Sequence, residues 1–102
     1  MSMDIDIRDN SSEVYIRVTG HFDFDSHEDF HEALTAANSN NYSKYTVDLG
    51  SVKDLDSSAL GMLLLLRESA GGESADISIV NCRSEIREIL KIANFQQMFH
   101  IH

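Results

Sequence analysis

The grouping in this 102-residue chain best suited to chemistry is Asp56-Ser57-Ser58, two hydroxyls directly behind a carboxylate. It falls where the residue periodicity changes. Upstream, Tyr45, Val47 and Leu49 alternate with Thr46 and Asp48, the period of a half-buried strand. Gly50 breaks that run, and Val52 and Leu55 read as apolar anchors of a loop. Downstream, Leu60, Leu63, Leu64 and Arg67 follow at helical spacing. Asp and Ser satisfy the free backbone N–H groups of a helix start, so Ser57 is expected at the N-cap or the first position of a leucine-rich helix. A helix N-terminus carries unpaired donors and about half a positive charge, which suits a phosphate. A serine there is exposed, because the helix grows away from it, and can be modified without unfolding the domain. The plainer alternative is a serine that only caps.

Two other chemistries compete for attention. His27-Glu28-Asp29-Phe30-His31 matches the H-E-x-x-H zinc pattern, with both imidazoles on one helical face. It lies in a first helical turn, where solvated charge is expected, and a zinc hydrolase needs a third protein ligand and a cleft. His100 and His102 could serve only if the last strand came alongside, so no metal site is assigned. Ser57 as a catalytic nucleophile would require a G-x-S-x-G elbow, but Leu55 and Ala59 stand where the glycines belong. Any base would have to be the distant His21, His27 or His100. No Gly-rich phosphate loop occurs, since Gly71-Gly72 ends a helix. Neither a catalytic residue nor a cofactor is expected.

The elements that position Ser57 can be read in order. Ile5 and Ile7 alternate with Asp4, Asp6 and Arg8 in a first strand, and Asp9-Asn10-Ser11-Ser12 has the residue types of a turn. Val14, Ile16 and Val18 mark a second strand, antiparallel to the first. Gly20 ends it, and His21 to Asp25 form a loop. Ser26 and Asp29 resemble a capping box for a helix whose face carries Phe30, Ala33, Leu34 and Ala37. Asn38 to Ser43 reads as a polar loop. Beyond the leucine helix, Ile77, Ile79 and Val80 form a strand. Ile86, Ile89, Leu90 and Ala93 mark a third helix that Asn94 stops, and Met98, Phe99 and Ile101 mark a short last strand. The order β-β-α-β-α-β-α-β implies a mostly parallel five-stranded sheet with an N-terminal antiparallel pair. Three helices would cover one sheet face well and the other poorly.

Composition bounds the partners. The length suits one domain over residues 1–102 with a modest core. Seventeen acidic against eight basic residues give a formal charge of −9, which argues against nucleic acid or anionic membrane and favours a basic partner surface. Cys82 is the sole cysteine, so neither a disulfide framework nor a thiolate metal cluster is available, and a reduced, cytoplasmic setting is expected. The N-terminus lacks an apolar signal core, and the longest apolar run, Met62 to Leu66, is far short of the ~20 residues that span a bilayer. This run makes the helix apolar nearly all round. Part of it should face the sheet, and Met62 with Leu65 or Leu66 is expected to leave an apolar rim beside Ser57 for a partner.

The run Leu49-x-x-Val52-x-x-Leu55-Asp56-Ser57-Ser58-Ala59-Leu60-Gly61 resembles the signature of STAS domains, the sulphate-transporter and anti-sigma-factor-antagonist modules, and is nearest to their soluble single-domain members. Gly20-His21-Phe22-Asp23 is similar to the family's Gly-x-x-Asp after its second strand. The resemblance spans the chain, with one departure: Ala59 stands where glycine is common, which should stiffen the helix start. It implies a STAS-like α/β sandwich and a non-enzymatic, anti-sigma-factor-antagonist-like switch. Ser57 would be the phosphorylation site, Ser58 a neighbouring cap and minor acceptor, and Asp23 and Asp56 the electrostatic surroundings. Ser58, Leu60, Met62 and Leu65 would meet the partner. The implied regulators are a serine kinase resembling an anti-sigma factor and a PP2C-type phosphatase. A STAS scaffold or small-ligand-binding module without phosphorylation is the alternative.

Overall fold

The computed structural model describes residues 3–9, 13–23, 27–39 and 42–102. The expected turn at 10–12, the Ser26 cap and the loop positions 24–25 and 40–41 lie outside the described residues. Strands β1 (Met3–Asp9) and β2 (Glu13–Phe22) are followed by helix α1 (His27–Ser39), strand β3 (Lys44–Leu55) and helix α2 (Ser57–Ser69). Then come β4 (Ile77–Val80), α3 (Ser84–Ile92) and β5 (His100–Ile101). Single 3-10 turns at Gly72–Ser74 and Phe95–Gln97 fill the last connections.

The sheet runs in chain order, β1-β2-β3-β4-β5. β2 to β5 are four parallel strands, and β1 lies antiparallel on the outer edge of β2, Ile5 opposite Val18 and Ile7 opposite Ile16. Helical crossovers make the parallel pairings possible. One face of the sheet is apolar: Val14, Ile16, Val18, Tyr45, Val47, Ile77 and Ile79 are all buried, together with Phe30 of α1, Ala59, Met62, Leu63 and Leu66 of α2, and Ile86 and Leu90 of α3. β2 alternates strictly over its first half, with Glu13, Tyr15 and Arg17 exposed, as a strand with one covered face must.

Two helix ends fall where their residue types permit them. Gly71 (φ 124°) and Gly72 (φ 63°) end α2 behind its C-cap Ala70, and Asn94 (φ 62°) ends α3 in the left-handed conformation.

The largest departure from expectation is β3. Gly50 does not end it, and Ser51 to Leu55 are strand, not loop. From Glu13 to Phe22 β2 advances nine steps while β3 advances eleven, from Lys44 to Leu55, so β3 carries two extra residues, at register shifts opposite Arg17/Thr19 and Gly20/His21. Each bulge resets the inward phase. Leu49, Val52 and Leu55 are consequently all buried at a spacing of three, a pattern that mimics loop anchors more than a strand.

Candidate functional site

Ser57 is the first residue of α2, and Asp56, in extended conformation (φ −116°, ψ −175°), is its N-cap. The Asp56 Oδ1 accepts from the Ala59 N–H at 3.1 Å, while the Asp56 carbonyl accepts from Ala59 and Leu60 at 3.1 and 3.3 Å. One helix-terminal donor is therefore occupied by an internal carboxylate. Ser57 is exposed and Ser58 half-buried, and Ala59 is wholly buried.

The neighbouring strand end lies against this turn. Leu55 stands opposite Phe22, and the Asp56 N–H donates to the Phe22 carbonyl at 3.3 Å. Asp23, half-buried, follows Phe22 directly in the chain and so leaves β2 at the strand end that meets this turn. Phe22 is held in turn by Phe30 of α1, ring centroids 5.3 Å apart, so the first turns of α1 steady the segment that bears Asp23.

Of the rim residues expected on the leucine helix, only Leu65 is presented. Met62 is 3% exposed and Leu66 fully buried, so neither forms a rim. The exposed apolar side chains are Leu64 (38%) and Leu65 (51%), with Leu60 packed partly against the core. At 3.6 residues per turn, Ser57, Gly61, Leu64 and Glu68 line up on one face. Five consecutive apolar residues offer no polar break to mark the phase of the helix. The serine at position 57, itself outward, was the usable signal.

Several polar contacts were not legible as motifs. His21 Nδ1 meets Asp54 Oδ1 at 2.9 Å, both exposed, because the bulged register sets the two residues opposite each other. On the open sheet face Asp48 is 8% exposed. It accepts from the Tyr15 hydroxyl, and its Oδ1 accepts from the Gly50 N–H at 2.8 Å. Burial pushes the Asp48 carboxyl up, but the hydrogen bonds from Tyr15, Gly50 and Asn81 and the charge of Arg17 outweigh it, leaving the group below its ordinary value. Arg17 also reaches Ser51 Oγ at 3.2 Å. Arg83 Nη2 donates to the Val52 and Lys53 carbonyls at 2.6 and 2.7 Å.

The H-E-x-x-H residues are not drawn into a centre among the described residues. His27 opens α1, His31 is exposed, and His100 faces Asp76 at 3.5 Å. No group of three His, Cys, Asp or Glu among the described residues is arranged to hold a metal ion. Likewise, no helix among them is long and apolar enough to cross a membrane.

Comparison with known proteins agrees with this architecture. The family model described as "Mlab, STAS domain" matches residues 5–100. A STAS-domain containing protein of Pseudomonas aeruginosa is 50% identical over 92 residues, covering 90% of each chain. Among solved structures, an anti-sigma factor antagonist from Mycobacterium paratuberculosis superposes with a TM-score of 0.85 at 20% identity, covering 99% of this chain and 86% of that one. The anti-sigma factor antagonist SpoIIAA in its unphosphorylated form gives 0.81 at 14% identity, covering 96% and 87%. The same protein, a Bacillus cell fate determinant, in its phosphorylated form gives 0.74 at 15% identity, covering 96% and 90%. With a sheet, a capped serine turn and a matching family model in agreement along nearly its whole length, this chain belongs to the STAS domain family.

Proposed function

We propose that this STAS domain is a non-enzymatic partner-switching regulator of the anti-sigma-factor-antagonist kind, controlled by phosphorylation of Ser57. The observation that carries the reading is the exposed Ser57 side chain at the first position of α2, directly behind a capping Asp56. A kinase can reach this hydroxyl without disturbing the core, since the helix is held by Ala59, Met62, Leu63 and Leu66 on its other side.

The electrostatics favour a docking switch over an internal rearrangement. A phosphoserine brings about −1.5 to −2 charges. Asp56 already occupies the Ala59 N–H, and Asp23 adds a second carboxylate nearby, so the phosphate gains little inside the domain. It changes the charge and hydration of the surface instead. Leu64 and Leu65, exposed along the same side of α2, supply apolar contact, with Ser58 and Leu60 at its margin. The regulators that fit are a serine kinase resembling an anti-sigma factor and a PP2C-type phosphatase.

The same Asp56 cap also favours a second reading, a STAS scaffold or small-ligand-binding module that is never phosphorylated. Intact mass of the protein purified from its native host separates the two. A species heavier by about 80 Da, one phosphate, that disappears in Ser57→Ala is the expected result. Its absence in every growth condition would leave the scaffold.

A further inference from the structure

The segment that delivers Ser57 has an unusual support. β3 pairs with β4 only from Tyr45 to Asp48. Its later part, Ser51 to Leu55, pairs with β2 alone, so among the described residues no strand lies against its other edge. Strand edges leave backbone groups to be satisfied by something else. On this edge the Arg83 guanidinium does so: one nitrogen, Nη2, donates to both the Val52 and the Lys53 carbonyl, at 2.6 and 2.7 Å.

Arg83 is placed for this by rigid neighbours. It is the N-cap of α3 (φ −66°, ψ 160°), and its own carbonyl accepts from the Arg87 N–H at 2.8 Å. The left-handed Asn81 (φ 60°) turns the chain from β4 toward it. Gly50 lets the two segments approach, since a Cβ there would stand 3.1 Å from both the Asn81 Cβ and Asp48 Oδ1. Val52 and Leu55 are 1% and 9% exposed, so apolar burial keeps the arm on the domain. What burial does not set is the arm's placement along its free edge, and three residues after Lys53 stands the cap of the switch helix.

We propose that Arg83 is a positioning residue for Ser57: its charge-assisted bonds stand in for the missing strand and fix the turn in the geometry that a kinase or docking partner reads. The proposal rests on the phosphorylation reading of Ser57 and extends it to a residue on α3. Because both bonds come from a single nitrogen, an ammonium group can replace them in part, which a bidentate site would not allow.

The test compares the full chain with Arg83→Ala and Arg83→Lys by amide hydrogen exchange, and measures phosphate on Ser57 by intact mass after expression in the native host. In Arg83→Ala, amides 53–60 should exchange about tenfold faster, while core amides of β2 and of α2 beyond Gly61 keep their rates. Arg83→Lys should fall between that variant and the wild type, and Ser57 phosphate should follow the same order. Unchanged exchange at 53–60 in Arg83→Ala would overturn the clamp. Faster exchange with undiminished Ser57 phosphate would overturn its positioning role. If the wild type itself never carries phosphate, the Ser57 reading fails and the positioning role with it, while the exchange data still decide whether the clamp exists.

Discussion

The two halves of β3 are built differently although one strand runs through both. From Tyr45 to Asp48 it lies between β2 and β4, with both edges hydrogen-bonded, and its register is regular. From Ser51 to Leu55 it keeps one strand partner, carries the bulged register, and depends on an arginine along the other edge. The first half is scaffold. The second half is an arm whose side chains are anchored but whose backbone is held at few points, and it ends at the exposed serine. The proposed switch would use this combination, a fixed base and a terminus whose serine lies outside the core.

The contrast can be broken at graded strengths. Ile79→Ala, in the strand that flanks only the first half, removes a fully buried side chain and should cost about 2–5 kcal/mol, read as a lower urea midpoint at unchanged slope. Arg83→Ala should leave that midpoint much closer to the wild type and show its effect locally. A global loss as large as that of Ile79→Ala would mean the arm is as integral as the scaffold.

At the hinge between the halves, Tyr15→Phe removes the hydroxyl that donates to Asp48. Near neutral pH the loss should be about 1–2 kcal/mol. The sign of its pH dependence follows from the depressed carboxyl. Such a group contributes stability that is present above the ordinary carboxyl pKa of about 4 and is lost as pH falls through the lower folded value. The difference between wild type and Tyr15→Phe should therefore shrink on acidification. A difference constant down to acid unfolding would show that the hydroxyl acts by packing.

At the end of the arm, Asp56→Ala removes the cap of α2 and should cost about 1 kcal/mol, measured by thermal melting. The smallest effect has the opposite sign. A Cβ on Gly61 meets nothing within 4 Å, so Gly61→Ala should stabilise the domain by about 0.5–1 kcal/mol through helix propensity. Failure to stabilise would point to a backbone constraint at Gly61 that its surroundings do not show.

Most elements were legible because their periods are clean. Val14, Ile16 and Val18 announce β2, the Asp-Ser-Ser change of period announces α2, and Asn94 announces the end of α3. The length of β3 was not, since two bulges convert an alternation of two into the threefold spacing of Leu49, Val52 and Leu55. Met62, expected at the rim, belongs to the core, because an unbroken Met-Leu-Leu-Leu-Leu run carries no phase. Within the site, Asp56, Ser57 and Asp23 are local in sequence or flank strand ends, and could be placed together by topology. The Arg83 and Asp48 contacts depend on register between segments about thirty residues apart, which no local pattern encodes.

The most direct measurement is a partner capture from host lysate with the wild type, Ser57→Ala and Ser57→Asp domains under identical conditions. The account predicts that the alanine and aspartate forms retain different proteins, with the wild type dividing between them according to its phosphate content. Equal recovery of every partner by all three forms would contradict it.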